Sequence, residues 1–177
     1  MKEENWSKIC KTPRLISAEI HYFRLEPGEW RDRIEKAKEA GCEAIASYIP
    51  WLCHESVEGR YDFTGRLDLR AFVELAKELG LYFIARPGPF VMAELKNEGI
   101  PHWLYDKHPH LRPVGWEERR VESAMVTYNH RDFLEEVGKW YGRVGEILGP
   151  LLVGMGGNVI AVQLDNEIGM LQWINNT

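Results

Sequence analysis

Four short apolar stretches alternate with three segments of helical period along the 177-residue chain, and no two of those stretches are joined by a hairpin turn. That alternation is restrictive, because strands linked through helices run parallel and their crossovers are right-handed. The stretches run from Leu15 to Ile20, Ala44 to Ile49, Leu81 to Ala85 and Val159 to Leu164. Between them, Trp30, Ile34, Ala37 and Ala40 form one helical face after a turn at Pro27-Gly28. Leu69, Phe72, Ala76 and Leu79 form a second, and Phe133, Val137, Trp140, Val144 and Ile147 a third. Gly41, Gly80 and Gly149-Pro150 supply the stops, and Asn129 is placed to cap the third helix.

The last stretch organises the rest. Five of the six residues in Val159-Ile160-Ala161-Val162-Gln163-Leu164 are apolar, and Asp165, Asn166 and Glu167 follow at once. Such a run predicts a parallel strand buried on both faces, with a polar exit at its C-terminal end, where α/β folds place their chemistry. A doubly wound sheet and a (β/α)8 barrel both satisfy the order β-α-β-α-β-α-β. Gly154-Met155-Gly156-Gly157 precedes a strand instead of linking a strand to a helix, so it lacks the helix N-terminus that a pyrophosphate needs, and no GxxxxGK[ST] is present. A (β/α)8 TIM barrel remains, with strands one to four, about its first half, in this chain. The expected organisation is a single partial catalytic domain over 1–177 with an N-terminal tail at 1–13. From Pro87 to Tyr128 no period is sustained, which predicts a long irregular connection.

Charge narrows the partners. The net charge of −5 is spread without a basic stripe or a polybasic tract, so neither nucleic acid nor membrane is an expected partner. No apolar run approaches spanning length and the N-terminus lacks a signal-like core, which predicts a cytoplasmic protein. Cys10, Cys42 and Cys53 are odd in number and lack CxxC spacing, favouring free thiols. Seven tryptophans suit a core and also suit a sugar cleft, since indole faces match the apolar faces of pyranose rings.

Every strand exit carries residues able to do chemistry: His21, Tyr22 and Arg24; Tyr48, Trp51, His54 and Glu55; Arg86, then Glu94; Asn166 and Glu167. Taken singly, each has a plainer explanation. Arg86 can pair with a structural carboxylate, Tyr48 and Trp51 can be core, and His54 with Glu55 can be a local hydrogen-bonded pair. His108-Pro109-His110 hints at a metal only faintly, because no carboxylate at ligand spacing accompanies it. Taken together on one barrel face, carboxylates, aromatics and an arginine point to glycoside hydrolysis, which needs one carboxyl group held protonated to serve the leaving oxygen. An aldolase or a phosphate-binding isomerase would need a Schiff-base lysine or a phosphate loop, and no lysine lies at these exits.

Seven motifs in order carry a family resemblance over Leu15 to Gly169. They are Ser17-Ala18-Glu19-Ile20-His21-Tyr22-Phe23-Arg24, Tyr48-Ile49-Pro50-Trp51-Leu52-Cys53-His54-Glu55, Gly59-Arg60-Tyr61-Asp62-Phe63, Arg86-Pro87-Gly88-Pro89-Phe90, Ala93-Glu94, Gly99-Ile100-Pro101-His102-Trp103-Leu104 and Val162-Gln163-Leu164-Asp165-Asn166-Glu167-Ile168-Gly169. The chain resembles the N-terminal part of the catalytic barrel of glycoside hydrolase family 35, the β-galactosidase family, within the clan of retaining (β/α)8 glycosidases.

The resemblance implies that Glu167 is the general acid/base, that Asn166 contacts the sugar beside it, and that Tyr48, Ala93 and Glu94 contact glycone hydroxyls. It implies a retaining exo-β-galactosidase-like hydrolase acting on terminal β-linked sugars, with a small carbohydrate as substrate and no cofactor or metal. The nucleophile of the family is a second Glu at the end of strand seven, so the isolated chain is expected to be an inactive fragment. It would associate with itself or with the remaining half of the barrel. Departures from the family pattern fall around the glycone pocket: Leu52 replaces Asn, Met92 and Leu95 replace Cys and Trp around Ala93-Glu94, Glu98-Gly99 replaces Gly-Gly, and Asp165 and Ile168 replace Glu and Tyr. Reaction class is therefore better defined than sugar identity. An exo-β-glucosaminidase of the same family and a non-catalytic carbohydrate-binding barrel fragment are the alternatives.

Overall fold

The computed structural model describes residues 14–115, 118–119 and 126–167; Cys10, Trp116, Ile168 and Gly169 lie outside them. Four strands form one sheet in the order β1 (Ser17–Glu19), β2 (Ala44–Tyr48), β3 (Tyr82–Gly88) and β4 (Val159–Leu164). β1 pairs parallel with β2 through Ser17 and Ala44, and β2 pairs parallel with β3 from Ala44–Tyr82 to Tyr48–Arg86. At the start of β4 the Phe83 amide donates to the Asn158 carbonyl at 2.8 Å, and after its end the Asp165 amide donates to the Gly88 carbonyl at 2.7 Å, so β3 and β4 advance together. The α/β alternation and the strand order agree with the sequence.

The helices that intervene are α1 (Pro27–Glu39), α2 (Trp51–His54), α3 (Leu69–Glu78), α4 (His102–Lys107) and α5 (Arg131–Leu148). Pro27-Gly28 opens α1 instead of turning the chain ahead of it. A proline at the first helical position gives up only an amide that has no helical partner, and the Glu29 carboxylate accepts the Glu26 amide at 3.0 Å. Asp68 caps α3 by accepting the Ala71 amide at 2.9 Å. The connection after β3 is less irregular than its composition suggests: α4 and single turns at Lys96–Gly99 and Pro109–Leu111 occupy it. β3 runs three residues past Ala85, so Arg86 lies inside the strand and not beyond it.

The chain divides into two compact units. In the first, comprising 1–49, 63–86 and 143–163, Phe72 of α3 is the centre of the core. Its ring lies 5.3 Å from Tyr22, 5.4 Å from Trp30 of α1 and 6.1 Å from Phe83 of β3. Buried Asn158 ties the turn before β4 to this core by donating to the Val73 and Leu81 carbonyls at 3.1 and 3.0 Å. The glycines ahead of β4 serve that turn: a Cβ on Gly157 would fall 1.8 Å from the Leu151 carbonyl oxygen.

β4 departs from expectation. Val159 is buried, but the strand is exposed from Ala161 onward, with Val162 46% and Leu164 61% accessible. It is the last strand in the sheet order, and among the described residues its outer side carries one parallel bridge, from Val159 to Leu152, and no further strand. The apolar sequence therefore records a strand suited to burial whose cover is absent from the described residues.

The second unit, 50–62, 87–142 and 164–177, is built around Trp51 of α2 and Trp140 of α5, both fully buried. Their rings stack at 6.1 Å, Trp103 meets Trp51 edge-on at 5.7 Å, and the Trp140 indole donates to the Pro87 carbonyl at 2.9 Å. His54 is buried beside Trp140, and its Nδ1 shares a 2.7 Å hydrogen bond with the Asp62 carbonyl. Burial pushes the His54 imidazole down to about 4. Since the unfolded chain takes up this proton near 6.5 and the folded one only near 4, this stability is complete above pH 6.5, falls as the pH drops from 6.5 to about 4, and levels off below that. The loss is about 3 kcal/mol. Urea midpoints compared at neutral pH and near pH 4 should show it, and His54→Gln should flatten that part of the profile.

Candidate active site

In the first unit, parallel pairing sets Glu19 and Tyr48 at the C-terminal ends of β1 and β2, with Arg86 of β3 in register beside Tyr48. Arg86 donates to Glu19 Oε1 at 2.5 Å and to the Tyr48 hydroxyl at 2.7 Å, and its guanidinium lies 3.9 Å from the Tyr48 ring centroid. His21 joins them, with Nε2 3.1 Å from Glu19 and Nδ1 3.0 Å from Arg24. Tyr48 is thus held by a charged partner and fixed in orientation, which a hydroxyl that recognises a ligand requires. The plainer reading of Arg86 is correct: it pairs with a carboxylate, Glu19.

The second unit holds Asp165, Asn166 and Glu167 immediately after β4. The Gly88 carbonyl accepts from both the Tyr141 hydroxyl at 2.6 Å and the Asp165 amide, which fixes the backbone where the strand ends. Asp165 is buried, and its Oδ1 accepts the Asn166 amide at 2.9 Å and the Tyr128 hydroxyl at 3.2 Å. Burial raises the Asp165 carboxyl above its usual range, opposed by those two donors and by the Phe90 amide. Burial likewise pushes Tyr141 up to about 12 and Tyr128 higher still, the Asp165 charge adding to both. Asn166 is buried beside Asp165, whereas Glu167 is exposed.

In the described chain the buried carboxylate at this strand end is Asp165 and not Glu167. The peptide turns sharply between them, with φ of 62° at Asp165 and 49° at Glu167, so side chains two apart along the former strand direction have different surroundings.

Ala93 and Glu94 occupy an unusual backbone. Met92, Ala93 and Glu94 have φ of 55°, 52° and 52°, and Asn97 and Glu98 have φ of 49° and 54°. Consecutive left-handed residues other than glycine cost roughly 1–2 kcal/mol each and persist where surrounding structure enforces them, often at ligand sites. Ala93 is buried and Glu94 exposed. The Glu98 carboxyl is pushed up by burial and by the negative charge of Glu94, so the two carboxylates feel one another.

His54 and Glu55 are structural. Glu55, buried, accepts the Trp51 indole at 2.6 Å and the Gly59 amide at 2.7 Å, while Trp51 is core. Sequence reasoning passed over Asp165, Tyr128 and Tyr141. Asp165 stood beside Asn166 in plain view, but nothing in the sequence marks a tyrosine 37 residues upstream as its hydrogen-bond donor.

The family profile described as glycosyl hydrolases family 35 matches residues 10–176. The chain belongs to glycosyl hydrolase family 35. It is 43% identical over 155 residues to an exo-β-D-glucosaminidase of Pyrococcus horikoshii, covering 84% of this chain and 20% of that protein. It is 42% identical over 156 residues to a β-galactosidase of Felis catus, covering 88% and 21%. A β-1,2-glucosyltransferase of Ignavibacterium album is 38% identical over 166 residues, covering 91% and 23%. This family-35 chain thus spans about a fifth of the length of the curated relatives it matches. In three dimensions it resembles the β-galactosidase from the psychrophilic Marinomonas ef1 with a TM-score of 0.71 at 18% identity, over 88% of this chain and 22% of that one, a likeness of fold.

Proposed function

We propose that this chain contributes the acid/base half of a retaining glycosidase that removes terminal β-linked sugars. The observation that carries the reading is the Asn166-Glu167 pair directly after the fourth strand of a family-35 chain, its backbone fixed through Asp165 and Gly88. Glu167 protonates the leaving oxygen while a second carboxylate attacks the anomeric carbon, then acts as base on the water that releases the sugar, the two carboxyls lying roughly 5–5.5 Å apart. In this proposal the nucleophile comes from polypeptide beyond this chain. Loss of solvent on completing the barrel, together with the nucleophile's charge, then supplies the raised pKa that exposed Glu167 needs. Asn166, Tyr48, Ala93 and Glu94 contact sugar hydroxyls.

The chain is, on this reading, about the first half of a (β/α)8 barrel. Exposed Val162 and Leu164 on β4 favour the remaining half of the barrel as their cover. Absent that half, the isolated chain should self-associate and should show negligible turnover of nitrophenyl β-galactoside. Turnover by the isolated chain that Glu167→Gln abolishes would retain the site and remove the fragment proposal.

For the sugar, a galactoside is our first reading. A glucosaminide is favoured by one observation, the interacting carboxylates Glu94 and Glu98, whose negative charge suits an ammonium-bearing glycone. Comparing nitrophenyl β-galactoside with nitrophenyl β-glucosaminide on the complete protein separates the two. Sugar binding without hydrolysis there would identify a non-catalytic barrel.

A further inference from the structure

Three side chains that the glycosidase reading leaves unused meet in the second unit. His108 precedes the single turn Pro109–Leu111 and His110 lies within it, and Asp132 lies in the first turn of α5, 22 residues after His110. One ligand atom from each of the three lies within 4.8 Å of the other two. His110 Nε2 is 2.7 Å and His108 Nδ1 3.7 Å from the same Asp132 Oδ2.

We propose that His108, His110 and Asp132 form a binding site for a divalent transition metal of the zinc class, pinning the loop after α4 to the start of α5. The donor set is right: two imidazoles and a carboxylate are a common zinc triad, leaving a fourth position for water or another ligand. The spacing is close to right as well. Bonds of about 2.0–2.2 Å in a tetrahedron hold ligand atoms about 3.3–3.5 Å apart, which rotation of the exposed His110 and half-buried Asp132 side chains can reach.

What distinguishes this cluster from a chance pair of surface histidines is the support behind it. His108 points its second nitrogen, Nε2, at Glu136 Oε1 3.4 Å away, and Glu136 is itself buried and hydrogen-bonded by Lys107 at 2.8 Å and Lys139 at 2.9 Å. A carboxylate that orients a histidine from its far side is how proteins fix the ring and raise the basicity of a metal ligand. The His130 ring packs 4.7 Å from that of His110 and limits its movement, and His130 Nδ1 accepts the Asp132 amide at 3.2 Å, tying down the residue that carries the third ligand. A plain hydrogen-bonded His–Asp pair would need neither.

The test is zinc content and cobalt absorption on the purified chain, stripped with a chelator, reloaded with one equivalent of metal and desalted. The expected result is about one retained zinc per chain, and with cobalt the intense visible bands of a four-coordinate site lacking thiolate. His110→Gln and Asp132→Asn should abolish retention, and Glu136→Gln should weaken binding about 10- to 100-fold without abolishing it. His102→Gln, outside the cluster, should change nothing. His110 is 47% exposed, so its replacement leaves the fold intact, which circular dichroism verifies. Failure of the folded wild-type chain to retain zinc would overturn the proposal. So would retention that survives both ligand substitutions, or cobalt bands showing thiolate ligation, which would assign the metal to the cysteines.

Discussion

Glu167→Gln in the complete enzyme proposed above should lower kcat/KM on a disaccharide substrate by 10²- to 10⁴-fold, the range that a positioned general acid contributes. The size depends on the leaving group, and that dependence is the informative part. A sugar alkoxide is a poor leaving group and needs its proton in the transition state, whereas a nitrophenolate leaves with little help. Nitrophenyl glycosides should therefore keep much more of their kcat/KM, since that constant reports only the first chemical step. Their kcat should still fall, because the second step needs Glu167 as a base toward water. Equal losses of kcat/KM on both substrates would show that Glu167 binds substrate or supports the fold and does not transfer the proton. Asn166→Ala, by contrast, should affect both substrates alike, because a hydrogen bond to the glycone does not depend on what leaves.

The residues at this site were legible to different degrees. Asn166 and Glu167 could be found because an apolar strand that stops abruptly at three polar residues is a local signal, contained in a dozen positions. The environment of Glu167 could not be found that way. Whether a carboxylate three residues past a strand is buried depends on the backbone turn at Asp165, with its φ of 62°, and on what lies over β4, neither of which the local sequence encodes. Arg86 illustrates the same limit. Its type suggested an ion pair, but the partner, Glu19, is 67 residues away and is chosen by the parallel register of β1, β2 and β3. The His108-Pro109-His110 segment is the clearest case. Its sequence neighbourhood shows no carboxylate at ligand spacing, and the fold delivers Asp132 from the next helix.

For the fold, long segments of clear period were read correctly and short ones were not. α1, α3 and α5 each bury a face at helical spacing, so their existence followed from Trp30 and Ile34, from Phe72 and Ala76, and from Phe133, Val137 and Trp140. α2 has four residues and α4 six, too few for a period to emerge, and both begin directly after a proline, which reads equally well as a loop. The expected burial of β4 failed for a physical reason: periodicity reports what a strand is suited to, and accessibility reports what covers it. Val162 and Leu164 are suited to a core that the described residues do not supply.

Trp140→Ala should cost the second unit about 3–5 kcal/mol, the usual range for truncating a buried large aromatic. The position has no slack. Trp140 is completely buried, stacks on Trp51 at 10° between ring planes, and borders His54 at 5.8 Å, so truncation opens a cavity walled by aromatic rings that are themselves fixed by hydrogen bonds. The indole hydrogen bond to the Pro87 carbonyl is lost too, leaving a carbonyl at the end of β3 without that donor. Trp140→Phe separates the two contributions: it keeps most of the apolar volume and should cost about 1–3 kcal/mol, mainly the lost indole hydrogen bond and a smaller gap. Urea denaturation followed by intrinsic fluorescence and by circular dichroism measures both losses. Because Pro87 precedes Gly88, whose carbonyl holds the Asp165 amide, the alanine variant should also loosen the strand end that carries Asn166 and Glu167. Amide exchange at Asp165 and Asn166 faster in both variants than in the wild type would show that the indole hydrogen bond braces the end of β4, and exchange unchanged from the wild type in Trp140→Phe would confine the role of Trp140 to the core.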